Sequence, residues 1–234
     1  MKVAIQFEIY DKIKEMLYNH QLVAGQKVIY TDLAKALKTS VSPVIIALKR
    51  LEASNLVTYI PNKGYFIADI TEKQGRELYQ ARQALEMFIL PDIIKNISAE
   101  KIGAIENKFK RLQVSDPRDL FLHDAQFHLS LIEFGENDFI YNLLSGIFEQ
   151  LCLKYRPQYL SEQRAKLALK EHHDIIVALK KRDLKEAKKA VTRHIEFGLR
   201  NIVDRLSMSQ YGGICSISTQ ARRTGTVSRS ASGR

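Results

Sequence analysis

The chain has 234 residues, of which 45% are hydrophobic and 26% charged, and its formal net charge is +10 at neutral pH. This length allows one large domain or two small ones. Neither a run of about 18 apolar residues nor a basic-then-apolar leader is present, so the sequence predicts no membrane-spanning helix and no secretory signal.

The cysteines and the charge add two further expectations. The sequence has two cysteines, Cys152 and Cys215, which lie far apart and lack CxxC spacing. This cysteine pattern is typical of a protein in a reducing cytoplasm. The excess of basic residues is compatible with a nucleic-acid partner.

The first 70 residues are predicted to form short helices followed by a β-hairpin. Apolar residues at helical spacing indicate a first amphipathic helix: Phe7, Tyr10, Ile13 and Leu17. Residues 31–38 indicate a second, short helix, and residues 39–43 a turn.

A third helix and the hairpin complete this N-terminal domain. Ser42 can cap the third helix, and Pro43 suits its first position. The inward face of this helix is an apolar stripe of Val44, Ala47, Leu48 and Leu51. Residues 56–61 and 65–70 are predicted strands around a tip at Asn62-Lys63-Gly64. This order of elements predicts a winged helix-turn-helix over residues 1–70.

Residues 71–206 are predicted to be entirely helical. Six helices are expected, at about 72–96, 98–113, 117–134, 137–156, 161–181 and 183–206. The fold class is therefore mainly α, with an N-terminal winged helix-turn-helix and a C-terminal all-α six-helix bundle. Residues 207–234 are rich in glycine, serine and arginine and are predicted to be a disordered tail.

Four polar residues interrupt apolar helix faces in the predicted bundle. Asp124 and His128 lie one turn apart on one helix, and His172 and His194 align with apolar residues on the last two helices. An unpaired carboxylate in a core must find partners or lose its charge. One carboxylate and three imidazoles that converge inside a bundle can hold a divalent cation. The alternative is that the histidines are hydrogen-bonded core residues, and spacing alone leaves both interpretations open.

Both halves of the chain resemble one family of bacterial transcription regulators. The segment LAKALKTSVSPVIIALKRLEASNLVTYIPNKGYFI, residues 33–67, resembles the helix-turn-helix and wing of the GntR family. Three segments resemble the effector domain of its FCD branch: ARQALE (81–86), DAQFH (124–128) with Asn137 after it, and EHHDIIVALKKRDLKEAKKAVTRHI (171–195). The six predicted helices resemble the VanR-like subgroup. The resemblance covers residues 5–205 and implies an FCD-like domain that binds metal and effector and forms the dimer.

The resemblance also implies the residues of an effector site. The family's metal ligands fall on the same four residues that the apolar faces single out: Asp124, His128, His172 and His194. Such a ligand set suits Zn, Ni, Mn or Fe. Arg82 resembles a position that faces the effector cavity, where its guanidinium could bind a small carboxylate beside the metal. The alternative for Arg82 is a salt bridge at a helix surface.

The predicted DNA-binding surface departs from the family pattern. Family arginines that read guanine fall on Val41 and Ile45, and an ordinarily basic position falls on Thr31. One explanation is contact of Val41 or Ile45 with thymine methyl groups. Another is binding through phosphate contacts, for which the candidates are Thr39, Ser40, Ser42, Lys49 and Lys63, with Lys63-Gly64 as the wing tip. A third is that the outward Ile45 and Ile46 contact a protein and specific DNA binding has weakened.

These features predict a ligand-responsive transcription regulator in the cytoplasm. It is expected to bind double-stranded operator DNA as a homodimer and to take a small carboxylate as its effector. It is not expected to be an enzyme, because no general base or nucleophile lies near the predicted ligands at recognisable spacing. The alternatives are a metal-dependent helical-bundle enzyme, in which the metal activates water, and a helical interaction module.

Overall fold

The computed structural model describes residues 2–110, 117–154 and 162–215. Within these residues, the N-terminal part contains α1 (Lys2–Tyr18), β1 (Lys27–Val28), α2 (Tyr30–Ala36), α3 (Val41–Ala53), β2 (Val57–Ile60) and β3 (Gly64–Ile67). The described C-terminal part contains α4 (Glu72–Asn96), α5 (Ala99–Lys110), α6 (Pro117–Ile132), α7 (Asp138–Lys154), α8 (Glu162–Lys180) and α9 (Leu184–Cys215). The predicted fold class, a winged helix followed by an all-helical bundle, is confirmed. None of the described helices is long and apolar enough to cross a membrane.

The three short strands form an antiparallel sheet in the order β1-β3-β2. The predicted hairpin is present, and Gly64 begins β3 with a φ of 93°, a left-handed conformation that favours glycine. Strand β3 ends at Ile67 rather than at residue 70. Strand β1 was missed by the sequence analysis because two residues are too few to give a periodic signal.

The start of α3 differs from the prediction. The helix begins at Val41 with Ser40 as its N-cap residue, so Ser42 is not the cap and Pro43 occupies the third helical position. A proline is tolerated there because the first N–H groups of a helix have no intrahelical acceptor.

The buried face of α1 also differs from the prediction. It consists of Ile9, Ile13 and Leu17, with Tyr10 half-buried against the core, whereas Phe7 is 51% exposed. The guanidinium of Arg50, on α3, lies 4.3 Å from the centre of the Phe7 ring. A cation over an aromatic face explains why Phe7 turns away from the core.

Helix α4 is the central helix of the bundle and packs along α9. At its start, Thr71 and Gln74 form a capping box. At its end, Arg182 donates hydrogen bonds to the carbonyl oxygens of Ile94 and Ile97, at 2.6 and 2.9 Å. Both ends of α4 are thereby fixed, and this helix carries part of the functional site.

The 3-10 turn Glu133–Gly135, which follows α6, packs directly on α4. A Cβ atom at Gly135 would lie 2.2 Å from Cγ1 and 2.7 Å from Cδ1 of the buried Ile89. A side chain at residue 135 would therefore push the turn away from α4.

Helix α7 connects the two hydrophobic cores. Leu153 packs against the N-terminal core, and Glu149 forms an ion pair with Lys14 of α1. The Phe148 ring lies 4.6 Å from the guanidinium carbon of Arg82 in the bundle. Consecutive residues of one helix thus contact the interior of the bundle and the N-terminal winged-helix domain.

Helix α9 continues to Cys215, whereas the prediction ended it near residue 206 and began a disordered tail at residue 207. The prediction was wrong for residues 207–215. This segment contains no proline, and extending a helix that is already packed through Ile202 and Leu206 costs little compared with starting one. The remainder of the predicted tail, residues 216–234, lies outside the described residues. The same holds for the predicted helix ends at 111–113 and 155–156.

Candidate functional site

Four side chains from three helices converge in the centre of the bundle. Asp124 and His128 come from α6, His172 from α8 and His194 from α9. One ligand atom of each lies within 4.8 Å of the others. The Nε2 atoms of His172, His194 and His128 lie 2.9, 3.0 and 3.8 Å from Oδ1 of Asp124. The structure therefore brings together the four residues that the sequence singled out.

Close packing holds these imidazole rings in place. All three histidines are buried. Phe127 stacks on the His172 ring with 4.1 Å between centroids, and the His128 and His194 rings stack at 4.8 Å. The rings have little freedom to turn, so their Nε2 atoms remain directed at Asp124.

Two buried carboxylates contact two of these rings on the edges that face away from Asp124. Oε2 of Glu86 lies 2.7 Å from Nδ1 of His128, and Oε2 of Glu171 lies 2.9 Å from Nδ1 of His194. Because a carboxylate accepts, Nδ1 of each ring carries the proton and donates. In His128 the Nε2 lone pair of the neutral ring is then available on the side of Asp124, which is the usual arrangement of a metal-ligating histidine. Nε2 of His194 lies 3.0 Å from Oδ1 of Asp124 and would release a proton to bind a metal.

Two arginines neutralise these carboxylates. Arg82, only 1% exposed, donates from Nε to Glu86 at 2.6 Å and from Nη1 to Oδ2 of Asp124 at 3.1 Å. Arg164 binds Glu171 in bidentate fashion at 3.0 and 2.8 Å. The alternative of a surface salt bridge for Arg82 is therefore wrong, since its ion pairs are buried.

The charges around the cluster shift the carboxyl pKa values downwards. Burial favours the neutral form of Asp124, but Arg82 and the contacts with His194 and His172 hold its pKa well below the ordinary value. Burial also opposes ionisation of Glu86, yet the interactions with His128 and Arg82 lower its pKa to about 2. Both side chains are carboxylates at neutral pH.

The histidines respond differently to the same surroundings. Burial lowers the pKa of His172 to about 3 and also lowers the pKa of His128. The pKa of His194 is raised, because the attraction of Asp124 outweighs the effect of burial. At neutral pH, His128 and His172 are thus neutral rings with a nitrogen lone pair.

The chemistry of this donor set fits a divalent transition metal. One carboxylate and three imidazoles are ligands that zinc and its neighbours accept. Nε2 of His128 is buried and has no hydrogen-bond partner among the described residues. A buried polar atom without a partner costs free energy. This atom favours metal ligation over the hydrogen-bonded alternative.

A cavity of about 30 Å³, enough for water-sized groups, opens beside Asp124 and His194. Its lining also includes Arg82, Arg164 and Tyr79. Nη2 of Arg82 is buried and, among the described residues, lacks a hydrogen-bond partner. A free guanidinium N–H beside the donor set is suited to an anionic group.

Gly198, on α9, keeps this cavity open. A Cβ atom there would lie 2.9 Å from Cε1 and 3.0 Å from the hydroxyl oxygen of Tyr79. The Tyr79 ring, which lines the cavity, could not keep its position beside a larger residue.

Five of the predicted DNA-binding residues line one groove, which we call the recognition surface. It lies between α3, the start of α2 and the β2-β3 hairpin, and it includes Thr31, Ile45, Lys49, Lys63 and Gly64. Its other members, among them Lys27, Ile29, Tyr30 and Tyr59, were not predicted from the sequence. Lys27 and Ile29 lie in and beside β1, the strand that the prediction lacked.

The other four predicted DNA-binding residues do not line the recognition surface. Thr39, Ser40, Val41 and Ser42 lie in the turn before α3 and in its first residues. Ser40 and Ser42 are exposed and Thr39 is half-buried. Val41 packs against the N-terminal core.

Three further site residues in the bundle were not predicted from the sequence: Glu86, Glu171 and Arg164. Two signals could have found the carboxylates. Glu86 follows Arg82 by one helical turn, and Glu171 immediately precedes His172. Arg164 gives no such signal, because it meets Glu171 seven residues later on the same helix.

Comparison with known families matches both parts of the chain. Residues 77–197 match the FCD domain family. Residues 6–67 match the family described as bacterial regulatory proteins, gntR family.

Individual relatives agree with these matches. The chain is 26% identical over 192 residues to an uncharacterized HTH-type transcriptional regulator, YdhC, of Bacillus subtilis (strain 168), an alignment that covers 80% of this chain and 86% of YdhC. It is 24% identical over 191 residues to the HTH-type transcriptional regulator McbR of Escherichia coli (strain K12), with 77% and 85% covered.

Solved structures have the same fold. The E. coli McbR/YncC structure aligns with a TM-score of 0.69 at 15% identity and covers 88% of this chain and 98% of its own. A putative GntR regulator from Rhodococcus sp. RHA1 aligns with a TM-score of 0.75 at 19% identity, with 86% and 98% covered. At these identities the likeness establishes the fold alone.

Proposed function

The chain belongs to the FCD family of GntR-type transcription regulators, and from this premise we propose that it binds operator DNA as a homodimer and responds to a small carboxylate held beside a divalent metal. Its relatives are named as transcriptional regulators, which points to a regulator rather than an enzyme. The six helices of the described bundle support the VanR-like subgroup.

The proposed metal ligands are Asp124, His128, His172 and His194. The observation that carries this proposal is the convergence of their ligand atoms around a buried Nε2 that has no partner among the described residues. A bound divalent ion would supply concentrated positive charge beside the cavity. Zn, Ni, Mn and Fe are all compatible with the donor set.

The fixed charges of the site support an anionic effector. Two guanidiniums, on Arg82 and Arg164, face three carboxylates, on Asp124, Glu86 and Glu171. With the three histidines neutral, as metal ligands must be, one negative charge is left uncompensated, and a divalent ion changes the net charge of the site to +1. A carboxylate in the adjoining cavity would restore neutrality and could accept hydrogen bonds from the free N–H of Arg82.

Exposed apolar side chains of the bundle support the homodimer. Phe88 lies on α4, and Phe139 and Leu143 lie one turn apart on α7. A two-fold dimer would present two recognition surfaces to the two halves of a palindromic operator. Light scattering of the full chain should give twice the chain mass, and a monomeric mass at the concentrations that bind DNA would contradict the dimer.

The metal is tested by removing one ligand. His128→Ala should lower the metal content well below one ion per chain and remove the stabilisation that added metal gives, because a ligand that binds only the native state stabilises it by mass action. His173→Ala is the matched control, since His173 neighbours His172 on α8 but is exposed. Unchanged metal content in His128→Ala would contradict the proposed site.

The effector is tested at the guanidinium. Arg82→Lys keeps a positive charge beside Glu86 but loses the planar set of donors. In calorimetric titrations of metal-loaded protein with small carboxylates, this variant should keep its metal and lose at least tenfold in carboxylate affinity. Gly198→Ala should also weaken carboxylate binding, since it displaces Tyr79. Wild-type affinity in both variants would contradict the cavity as the effector site.

A further inference from the structure

The recognition surface combines apolar side chains with basic ones. Ile29 is 55% exposed and Tyr59 48% exposed, and both line the groove with Ile45 of α3. Lys49 and Lys63 are exposed at the same groove. An exposed apolar group of this kind on a small domain indicates a binding surface.

Ile45 and Val41 have different structural roles. Val41 packs against the N-terminal core, so its apolar character is explained by the fold. Among the described residues, Ile45 is not one of those that pack against that core, and it lines the groove instead. The fold therefore does not account for an apolar residue at position 45.

We propose that Ile45 reads the 5-methyl group of thymine in the major groove, with Tyr30 and Tyr59 at the edges of the contact. This inference rests on the proposed DNA-binding function and names the bases that the operator carries at those positions. Thymine is the base that presents an apolar group in the major groove, whereas guanine is read by arginine or lysine. The inference therefore assigns A·T pairs to the positions that face Ile45.

The charges at the groove favour DNA over a protein partner. Three lysines, Lys27, Lys49 and Lys63, line it with a single acid, Glu52. Lysines around an apolar centre match a partner with negative charges at its rim and an apolar group in the middle. The major groove of DNA is such a partner, with phosphates at its rim and a thymine methyl group inside. An apolar protein helix would leave these lysines without partners.

The expected effect follows from the size of the methyl group. Burying one such carbon gives about 0.8 kcal/mol, which corresponds to about a fourfold change in affinity at 1.4 kcal/mol per tenfold. Replacing thymine by uracil removes this methyl group and keeps every hydrogen-bonding atom of the base pair.

The experiment uses the full chain and duplexes selected from a random pool at fixed salt with non-specific competitor DNA. Each thymine of the selected duplex is replaced in turn by uracil, and the dissociation constant is measured by fluorescence anisotropy. Wild-type protein should lose about fourfold at one or two positions in each half-site. Ile45→Ala should bind thymine and uracil duplexes equally, whereas Lys63→Ala should weaken both to the same extent and keep the difference between them.

The possible failures are distinguishable. Tight binding of a selected duplex that is insensitive to every uracil replacement would overturn the methyl contact and leave the proposed DNA-binding function intact. Selection of G·C pairs at the positions that respond to Ile45→Ala would also overturn it. Failure to bind any duplex at low salt would contradict the DNA-binding function itself, and with it this inference.

Discussion

Replacing Glu86 by glutamine should change which nitrogen of His128 carries the proton. Oε1 of Glu86 accepts from Nε of Arg82 at 2.6 Å, and Oε2 accepts from Nδ1 of His128 at 2.7 Å. Arg82 is always charged and can only donate, so the amide oxygen of a glutamine must face it. The amide NH2 group then faces Nδ1 of His128, which must become an acceptor. The proton moves to Nε2, the atom directed at Asp124, and Nε2 then has no lone pair with which to bind the metal.

The same substitution at Glu171 should have a smaller effect and serves as the matched control. Oε2 of Glu171 accepts from both His194 and Arg164, at 2.9 and 2.8 Å. The amide oxygen of a glutamine can take this position and keep the proton on Nδ1 of His194. Only the hydrogen bond between Oε1 and Nη1 of Arg164, at 3.0 Å, is lost.

Outer carboxylates of metal-ligating histidines typically contribute about 10- to 100-fold in metal affinity, or about 1.4 to 2.8 kcal/mol. We expect Glu86→Gln to lose that much and Glu171→Gln to lose less than about tenfold. Competition between each purified variant and a chelator of known affinity measures the difference. Thermal unfolding of the metal-free proteins checks that both variants fold. Equal metal affinity in the two variants, or a larger loss in Glu171→Gln, would refute the claim that Glu86 keeps the proton of His128 on Nδ1.

Two further predictions concern the packing of the bundle and its link to the DNA-binding domain. Gly135→Ala should destabilise the protein by about 1 to 3 kcal/mol, because the new Cβ atom would collide with Ile89. Gly146→Ala on α7 is the control, since a Cβ atom there has no neighbour among the described residues within 4 Å. This control variant should be neutral or stabilise the protein by up to about 1 kcal/mol. Denaturant unfolding compares the two, and equal stability would contradict the close contact. Glu149→Gln removes the ion pair with Lys14. This variant should keep its affinity for metal and for carboxylate, but the effect of carboxylate on DNA affinity should fall by about 0.5 to 2 kcal/mol. An unchanged effect in anisotropy titrations would show that this ion pair does not link the two domains.

Local patterns predicted most of the fold. Apolar stripes such as Val44 to Leu51 and the tip at Lys63-Gly64 specify their own elements, because helical and strand spacing are properties of a few neighbouring residues. The exact residue at which an element begins was less predictable than the presence of the element. Ser42 and Pro43 suit the start of a helix, yet α3 begins at Val41, with the extended Ser40 as its N-cap residue and without a capping hydrogen bond from the Ser40 side chain.

The candidate site could be predicted only in part, for a physical reason. Asp124 and His128 stand out because each is polar on an otherwise apolar face of its own helix. Arg164 does not stand out, and Glu86 does so only through its spacing from Arg82, because their roles arise from contacts with another helix or with a distant residue of the same helix. The groove beside Ile45 could not be predicted either, since β1 becomes a strand only by pairing with β3.

Binding of a selected duplex by the full chain, followed by anisotropy with and without a small carboxylate, tests the regulator function together with its metal site. The measurement is made on metal-loaded wild-type protein, on chelator-treated protein and on His128→Ala. We expect carboxylate to change duplex affinity by about 5- to 150-fold, the usual range for coupling between two sites, in the metal-loaded wild type only. An equal carboxylate response in all three samples, or none in the metal-loaded wild type, would contradict a metal-dependent effector site that controls DNA binding.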